Sequence, residues 1–254
     1  DDVKTPKEII NKLIYLRRKG NLILSDFQWY EEVLKRIDPD LVKNEDIISK
    51  RISTSQNIQK RLKRFSDIII SLLLLFITFP LLIISGILIK LEDSGPIIYK
   101  QIRTGLFGKE FYIYKLRSMY QNAEKGIPQW SKKGDKRITR IGNFLRKSRI
   151  DELPQLINVL NGEMSLIGPR PERPIFEESL EKNIPCYKVR HYAKPGISGW
   201  AQVNYPYGAS IEDAKNKLSY DLYYMKNYSV WLDILIIFKT IKLVILLRGS
   251  TPKN

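Results

Sequence analysis

At 254 residues, 43% of them hydrophobic, the chain has material for one domain with attachments. Its 43 Lys and Arg against 27 Asp and Glu give a formal net charge of +16, which calls for a polyanionic partner; nucleic acid, anionic lipid headgroups and sugar-nucleotide phosphates all qualify. A single cysteine, Cys186, excludes an internal disulfide, and with only one histidine, His191, it excludes a thiolate or imidazole zinc cluster.

The chain opens Asp1-Asp2 without an initiator methionine, as expected of a portion of something longer. Residues 1–59 read as accessory helices. Ile9, Ile10, Leu13, Ile14 and Leu16 have helical spacing, and a polar tract from Ser53 leads to a connector, Asn57-Ile58-Gln59. Residues 60–95 form a membrane unit. Lys60-Arg61-Leu62-Lys63-Arg64 leads into an apolar run of about twenty residues within Ile68 to Leu91, long enough to cross a bilayer. Two features argue against simple crossing. Pro80 lies at the middle, where it kinks a helix, with Thr78 available for freed backbone groups. Cations also flank both ends, Lys60 to Arg64 before and Lys90, Lys100 and Arg103 after, so neither end prefers the far side. A helix that bends at Pro80 and returns to its own face satisfies both facts, while an ordinary transmembrane helix stays open.

Residues 96–229 follow as the main domain. Ile97 to Arg103 and Glu110 to Lys115, separated by Gly105 and Gly108, read as a β-hairpin. Alternating cations on its second strand, Lys115 and Arg117, suit either a solvated face or an anionic ligand. Tyr120 to Lys136, punctuated by Gly126, Pro128 and Gly134, reads as a mobile loop that could cover a ligand. Ile138 to Ile150 has helical spacing with a cationic remainder, Arg137, Arg140, Arg146, Lys147 and Arg149, fit for solvent or for anionic headgroups.

The chemistry concentrates between Ser148 and Pro171, where Asp151-Glu152 follows a run of cations and Gly168-Pro169-Arg170-Pro171 holds an arginine in a stiff turn. Pro154 lacks an amide hydrogen and favours a helix's first turn, so the helix Pro154 to Leu160 would have the acidic pair at its mouth. Two carboxylates there either cap the helix or serve a metal or a phosphate. Adjacent side chains diverge on a helix, so the pair need not share one job. A rigid guanidinium at Arg170 matches phosphate oxygens bidentately, and Arg173 is a second candidate, with Glu172 orienting an arginine rather than reacting. A helix-like stretch runs from Ile175 to Glu181. Within Lys194 to Asn204, Gly196 and Gly199 permit tight turns and close backbone approach, and Gln202 and Asn204 can hydrogen-bond a base or sugar. Ser210 to Asn227 reads as a helix whose Tyr220, Tyr223 and Tyr224 suit a headgroup interface or a core. In residues 230–254, Trp231 to Leu247 is apolar but broken by Asp233, Lys239 and Lys242, which favours an interfacial helix over a spanning one.

Three runs, RITRIGNFLRKSRIDELPQLINVLNGEMSLIGPRPERP, KPGISGWAQVN and YKLRSM, resemble the bacterial sugar transferases, monotopic polyprenyl-phosphate hexose-1-phosphate transferases that start exopolysaccharide, capsule and O-antigen repeat units. The resemblance covers roughly Lys60 to Arg248 and departs from the family's usual Ser-Leu before Asp-Glu, since Arg149-Ile150 stands here. It implies an α+β fold, mainly helical and monotopic, with a re-entrant membrane helix, a short β-hairpin and interfacial amphipathic helices. It also implies transfer of a hexose-1-phosphate from a UDP-sugar to undecaprenyl phosphate with release of UMP, through a covalent sugar-phosphoryl Asp151. Magnesium would be held by Asp151 and Glu152. Arg170, Arg173, Lys115, Arg117, Arg149, His191, Gln202 and Asn204 would meet phosphate or nucleotide. The partners expected are the UDP-sugar, undecaprenyl phosphate and membrane lipids, not nucleic acid, at the cytoplasmic face of a bacterial inner membrane; self-association and the sugar stay open. A competing class is a non-catalytic, membrane-tethered binder of polyanions, which the charge supports. Against it stand the acidic dyad inside the basic region and the lack of a nucleic-acid fold signature.

Overall fold

The computed structural model describes residues 6–42, 57–121, 123, 134–206, 208 and 210–247. The tract Ser53 to Gln56 and most of the Tyr120 to Lys136 loop lie outside the described residues. Two helices come first, α1 (Lys7–Arg18) and α2 (Asp26–Glu32), and the longest element, α3, follows as an unbroken 36-residue helix, Asn57–Glu92. The expected connector Asn57-Ile58-Gln59 is therefore the first turn of α3. Nothing in Asn-Ile-Gln stops a helix, and the good helix formers from Lys60 to Arg64 carry it on.

One face of α3 docks at both ends. Asp67 and Ser71 are buried near its start and Ser85, Gly86 and Ile89 near its finish, all at helical spacing. The stretch between stands clear of the protein, with Phe76 at 82% and Phe79 at 60% exposure. Arg64 donates to the carbonyls of Val159 and Leu160, and Asp67 Oδ1 accepts from the Leu166 amide at 3.1 Å. At the far end the Glu92 carboxylate accepts from the amides of Arg140 and Ile141 at 2.7 and 3.0 Å. Pro80 sits inside the helix, and the carbonyl it leaves without a donor is that of Phe76. Thr78 does not serve that group, because its hydroxyl donates to Leu74 O at 2.7 Å.

The hairpin forms as expected from β1 (Ile98–Thr104) and β2 (Glu110–Leu116), antiparallel with Ile98 opposite Leu116. Helix α4 is Arg140–Lys147, shorter than the predicted 138–150 span. Ile138 bridges to Met119 on one side, and on the other Arg149 adopts a left-handed conformation, φ 60°, that ends the helix. Next come α5 (Gln155–Asn161), β3 (Ser165–Ile167) and α6 (Pro174–Asn183). A 3₁₀ turn, Tyr187–Tyr192, leads to β4 (Gly196–Ser198) and the short α7 (Trp200–Asn204). Strands β3 and β4 pair in parallel, Ser165 opposite Gly196 and Ile167 opposite Ser198, an element the sequence patterns do not announce.

Helix α8 (Ile211–Lys226) is the spine of the larger core. Its Leu218, Leu222 and Met225 are buried against Trp200, Tyr187 and Ile236. The tyrosines of α8 serve this core rather than a headgroup layer. Tyr224 is buried and donates to Asp233 at 2.8 Å, while Tyr223 stacks on Trp200 with centroids 6.0 Å apart. The accessory segment after α1 packs onto α8 as well, through Glu31 on Lys226 at 2.6 Å and the Ile37 amide on Ser219 O at 2.8 Å. The last helix, α9 (Val230–Ile245), turns Asp233, Ile236 and Thr240 inward and Trp231, Phe238, Ile241 and Ile245 outward, an amphipathic split suited to an interface. Two of its charges have protein partners: Asp233 pairs with Lys63 of α3 at 2.7 Å, and Lys239 donates to Asn204 at 2.6 Å.

Candidate active site

The acidic pair sits in a 3₁₀ turn, Ile150–Glu152, between α4 and α5. Arg149 before it occupies a backbone region that non-glycine residues avoid, the kind of local strain that collects at functional sites. Pro154 then caps α5, so the pair stands at that helix's mouth as the proline predicts.

Both carboxylates are only 7% exposed, yet their surroundings differ sharply. Glu152 Oε1 accepts from Lys115 Nζ at 2.9 Å and from Arg170 Nη2 at 2.5 Å, and its Oε2 meets Arg149 at 3.4 Å. Asp151 Oδ1 is buried with no hydrogen-bond partner among the described residues. Ionisation follows this division. Burial, then the negative charge of Glu152, push the Asp151 carboxyl up to about 6. Burial works against the Glu152 charge too, but Arg170, Lys115 and Arg149 outweigh it and hold that carboxyl well below the usual range. Two adjacent acids driven apart in this way can do different work: one a fixed counter-ion that organises cations, the other an oxygen without a partner.

Parallel pairing of β3 with β4 brings the two glycine-bearing motifs together. Ser165 N donates to Pro195 O at 2.8 Å, Gly168 N to Ser198 O at 2.8 Å, and Gly196 N to Pro169 O at 2.9 Å. A Cβ on Gly196 would fall on the Gly168 backbone, and one on Gly199 would fall on the Gly168 carbonyl, so these glycines are required for the approach. Arg170 leaves this crossing aimed at Glu152.

A cavity of about 660 Å³ opens over the dyad. Of the residues predicted from sequence, Lys115, Arg117, Arg149, Arg170, Arg173 and Gln202 line it together with Asp151 and Glu152. Arg117 also donates to the Asp93 carbonyl at the end of α3, and the Arg173 guanidinium lies 5.4 Å from the Phe176 ring centroid. His191 and Asn204 are not brought into this cavity. His191 Nε2 lies 3.0 Å from Glu177 Oε1 and borders a separate, water-sized space behind Pro169 and Pro171. Asn204 donates to Trp200 O at 2.8 Å and accepts from Lys239. Asn204 ends α7 and meets Lys239 of α9, whereas Gln202 borders the cavity. Sequence reasoning missed Arg103, Arg146, Arg190, Lys217 and Tyr205 as lining residues. Arg103 alternates with Gln101 and Tyr99 along β1, a period-2 signal that was legible once the hairpin was drawn. Lys217 and Arg190 had no comparable local signal. The orienting role expected of Glu172 fits its ion pair with Arg103 at 3.5 Å.

Among the described residues, no set of three or more His, Cys, Asp or Glu side chains could by itself hold a metal ion. The dyad nevertheless fits magnesium, which binds through one or two carboxylates plus substrate phosphates. Asp151 offers a partnerless oxygen, and Glu152 Oε2 has only the long Arg149 contact.

Comparison with known proteins adds a second line. A family model described as bacterial sugar transferase matches residues 58–247. A UDP-N-acetylgalactosamine-undecaprenyl-phosphate N-acetylgalactosaminephosphotransferase of Aeromonas hydrophila is 48% identical over 184 residues, 72% of this chain and 44% of the relative. A UDP-glucose:undecaprenyl-phosphate glucose-1-phosphate transferase of Xanthomonas campestris pv. campestris is 45% identical over 181 residues, 70% of this chain and 37% of the relative. An undecaprenyl-phosphate galactose phosphotransferase of Salmonella typhimurium is 38% identical over 238 residues, 85% of this chain and 48% of the relative. The aligned part of the chain thus spans less than half the length of each of these relatives.

Proposed function

This chain belongs to the bacterial sugar transferase family, and on that premise we propose that it transfers a hexose-1-phosphate from a UDP-sugar to undecaprenyl phosphate, releasing UMP. The observation that carries the reading is the split acidic pair, a partnerless Asp151 oxygen beside a cation-saturated Glu152, in a cavity lined by arginine and lysine. An Asp151 carboxylate oxygen attacks the phosphorus that bears the sugar. The bridging bond to the uridine-side phosphate breaks, UMP leaves with the bridging oxygen, and a sugar-phosphoryl aspartate remains. A phosphate oxygen of undecaprenyl phosphate then attacks the same phosphorus, freeing the carboxylate and forming the lipid-linked diphosphate sugar. Arg170, Lys115 and Arg149 stabilise the charge gathering on phosphate oxygens, and Glu152 keeps these three cations convergent between substrates. Magnesium, held by Asp151 and Glu152 Oε2, would supply Lewis-acid neutralisation of the diphosphate.

The test is UMP release over a panel of UDP-hexoses. Turnover should require magnesium and detergent-solubilised polyprenyl phosphate, and kcat/KM for the donor should fall on the acid side as the Asp151 carboxyl takes up a proton. Salt-sensitive polyanion binding with no UMP from any donor would remove the transferase reading.

The placement of α3 supports a re-entrant membrane helix. A straight helix would separate Arg64 from Glu92 by about 42 Å. Their docking partners, α5 and the start of α4, both pack on β2, α5 through Val159 against Ile113 and α4 through Leu145 against Leu116. A bend at Pro80 would let both arms dock there while the apolar middle enters the bilayer from the cytoplasmic face. Lys60→Cys and Lys90→Cys, each made in a Cys186→Ser background, should both label with a membrane-impermeant thiol reagent in inside-out vesicles. Labelling at one position only would mean that the helix crosses.

A further inference from the structure

Between Gly168 and Glu172 the chain has no regular structure, and two of its five residues are prolines without a donor. The segment is held by its carbonyls. Pro169 O accepts from Gly196 N at 2.9 Å, Arg170 O from Arg190 Nη2 at 2.8 Å, Pro171 O from Arg103 Nη1 at 3.2 Å, and Glu172 O from Thr104 N at 3.0 Å. Of these four clamps, the one on Arg170 itself is built most elaborately. The same Arg190 Nη2 also donates to Asp221 Oδ2 at 3.0 Å, and Nη1 donates to the Tyr187 hydroxyl at 2.6 Å. Arg190 is 7% exposed, Asp221 and Tyr187 2% each. Three separate elements, the Tyr187–Tyr192 turn, α8 and the proline-flanked segment, thus meet at one guanidinium.

Burying an ion pair of this kind is weak evidence for stability, because desolvation of both charges offsets their attraction. It is better evidence for a geometry that must not vary. Although Arg190 borders the cavity, both of its terminal nitrogens are committed to protein acceptors, whereas Arg170 reaches from the same clamp to Glu152. We infer that Arg190 and Asp221 form a positioning pair that acts on phosphate through Arg170, fixing its main chain so that one guanidinium serves Glu152 and the donor diphosphate together. This inference rests on the phosphate-handling reading of the cavity. A lysine at position 190 could satisfy the Arg170 carbonyl or Asp221 but not hold both with Tyr187, since it lacks the planar fork of donors.

The experiment is a double-mutant cycle read in two ways: UMP release, and calorimetric binding of UDP in the presence of magnesium. Arg190→Lys should lower kcat about 30-fold and weaken UDP about tenfold in the parent, and each loss should shrink to less than about threefold in an Arg170→Ala background, as expected of residues acting as one unit. Asp221→Asn keeps an acceptor for Arg190 and should give a smaller loss with the same dependence on Arg170; it carries the test if Arg190→Lys fails to fold. A lowered melting temperature alone would be equal in the two backgrounds. Equal losses of UDP binding with and without Arg170 would overturn the inference. UDP binding by a parent that releases no UMP would defeat the transferase reading while leaving the binding cycle to decide the positioning role, and a parent that binds no UDP would defeat both.

Discussion

Asp151→Asn is expected to reduce UMP release by about 10⁴-fold or more, the scale on which loss of a nucleophile is felt, while making the metal-free fold more stable above pH 6. The two effects share one cause. Asp151 is buried beside Glu152 with one oxygen unbonded, so its carboxyl ionises at about 6 rather than 3.8. Between those values the folded chain holds a proton that the unfolded chain has released, and stability therefore falls as pH rises through that window. The full contribution is present below 3.8 and is gone above about 6, a difference of roughly 3 kcal/mol. Asparagine cannot ionise and escapes that cost. Thermal unfolding in detergent and chelator should show the variant ahead of the parent at pH 8 and nearly level with it at pH 4. Glu152 is linked in the opposite sense, because its depressed carboxyl contributes stability at neutral pH that is lost as pH falls through its folded value. Equal melting temperatures at pH 8, or persistent turnover in the variant, would mean that Asp151 does not carry the charge or the chemistry assigned to it.

Legibility from sequence followed the range of the forces involved. Local signals were read correctly: the hairpin by its β-branched and aromatic runs around Gly105 and Gly108, the start of α5 by Pro154, and the helical stretch from Ser210 to Asn227 that became α8. The dyad and Arg170 were singled out by charge set in stiff turns together with the family resemblance, and the structure places Arg170 against Glu152. What failed was orientation at a distance. Strands β3 and β4 have three residues each, too short for a period-2 pattern, and their pairing is specified by glycines that matter only because two backbones touch. Asn204 shares a motif with Gln202 and His191 lies just before it, yet that stretch winds through a 3₁₀ turn, a strand and a helix and so presents its polar groups to different sides. Arg190 and Asp221 lie 31 positions apart and meet only in the folded chain. The departure at Arg149-Ile150 was visible, but the left-handed backbone of Arg149 and its contact with Glu152 were not.

Gly196→Ala should then be the substitution with the largest structural cost in the site. A methyl group there lands on Gly168 N, Gly168 Cα and Ser198 O, all of them backbone, so no rotamer change relieves it. The parallel pair must open, loosening the hydrogen bonds made by the Ser165, Gly168 and Gly196 amides. Overpacking at 1–3 kcal/mol with part of three hydrogen bonds at about 1 kcal/mol each gives a loss of roughly 4 kcal/mol. Because Gly168 leads directly into Pro169-Arg170, the guanidinium should also drift from Glu152, and UMP release should fall more than about 100-fold even at temperatures where the variant stays folded, since displacement on the ångström scale already costs that much. Gly86→Ala is the matched control. Its methyl would meet only the flexible Ile97 side chain, at 3.4 Å, inside a helix that favours alanine over glycine by about 1 kcal/mol, so stability should hold or rise. A Gly196→Ala protein with the parent's melting temperature and rate would show that the two motifs do not need their backbone contact. Opposite signs at the two positions would place the requirement in what each Cβ meets, main chain at one and a rotatable side chain at the other, rather than in glycine's intrinsic freedom.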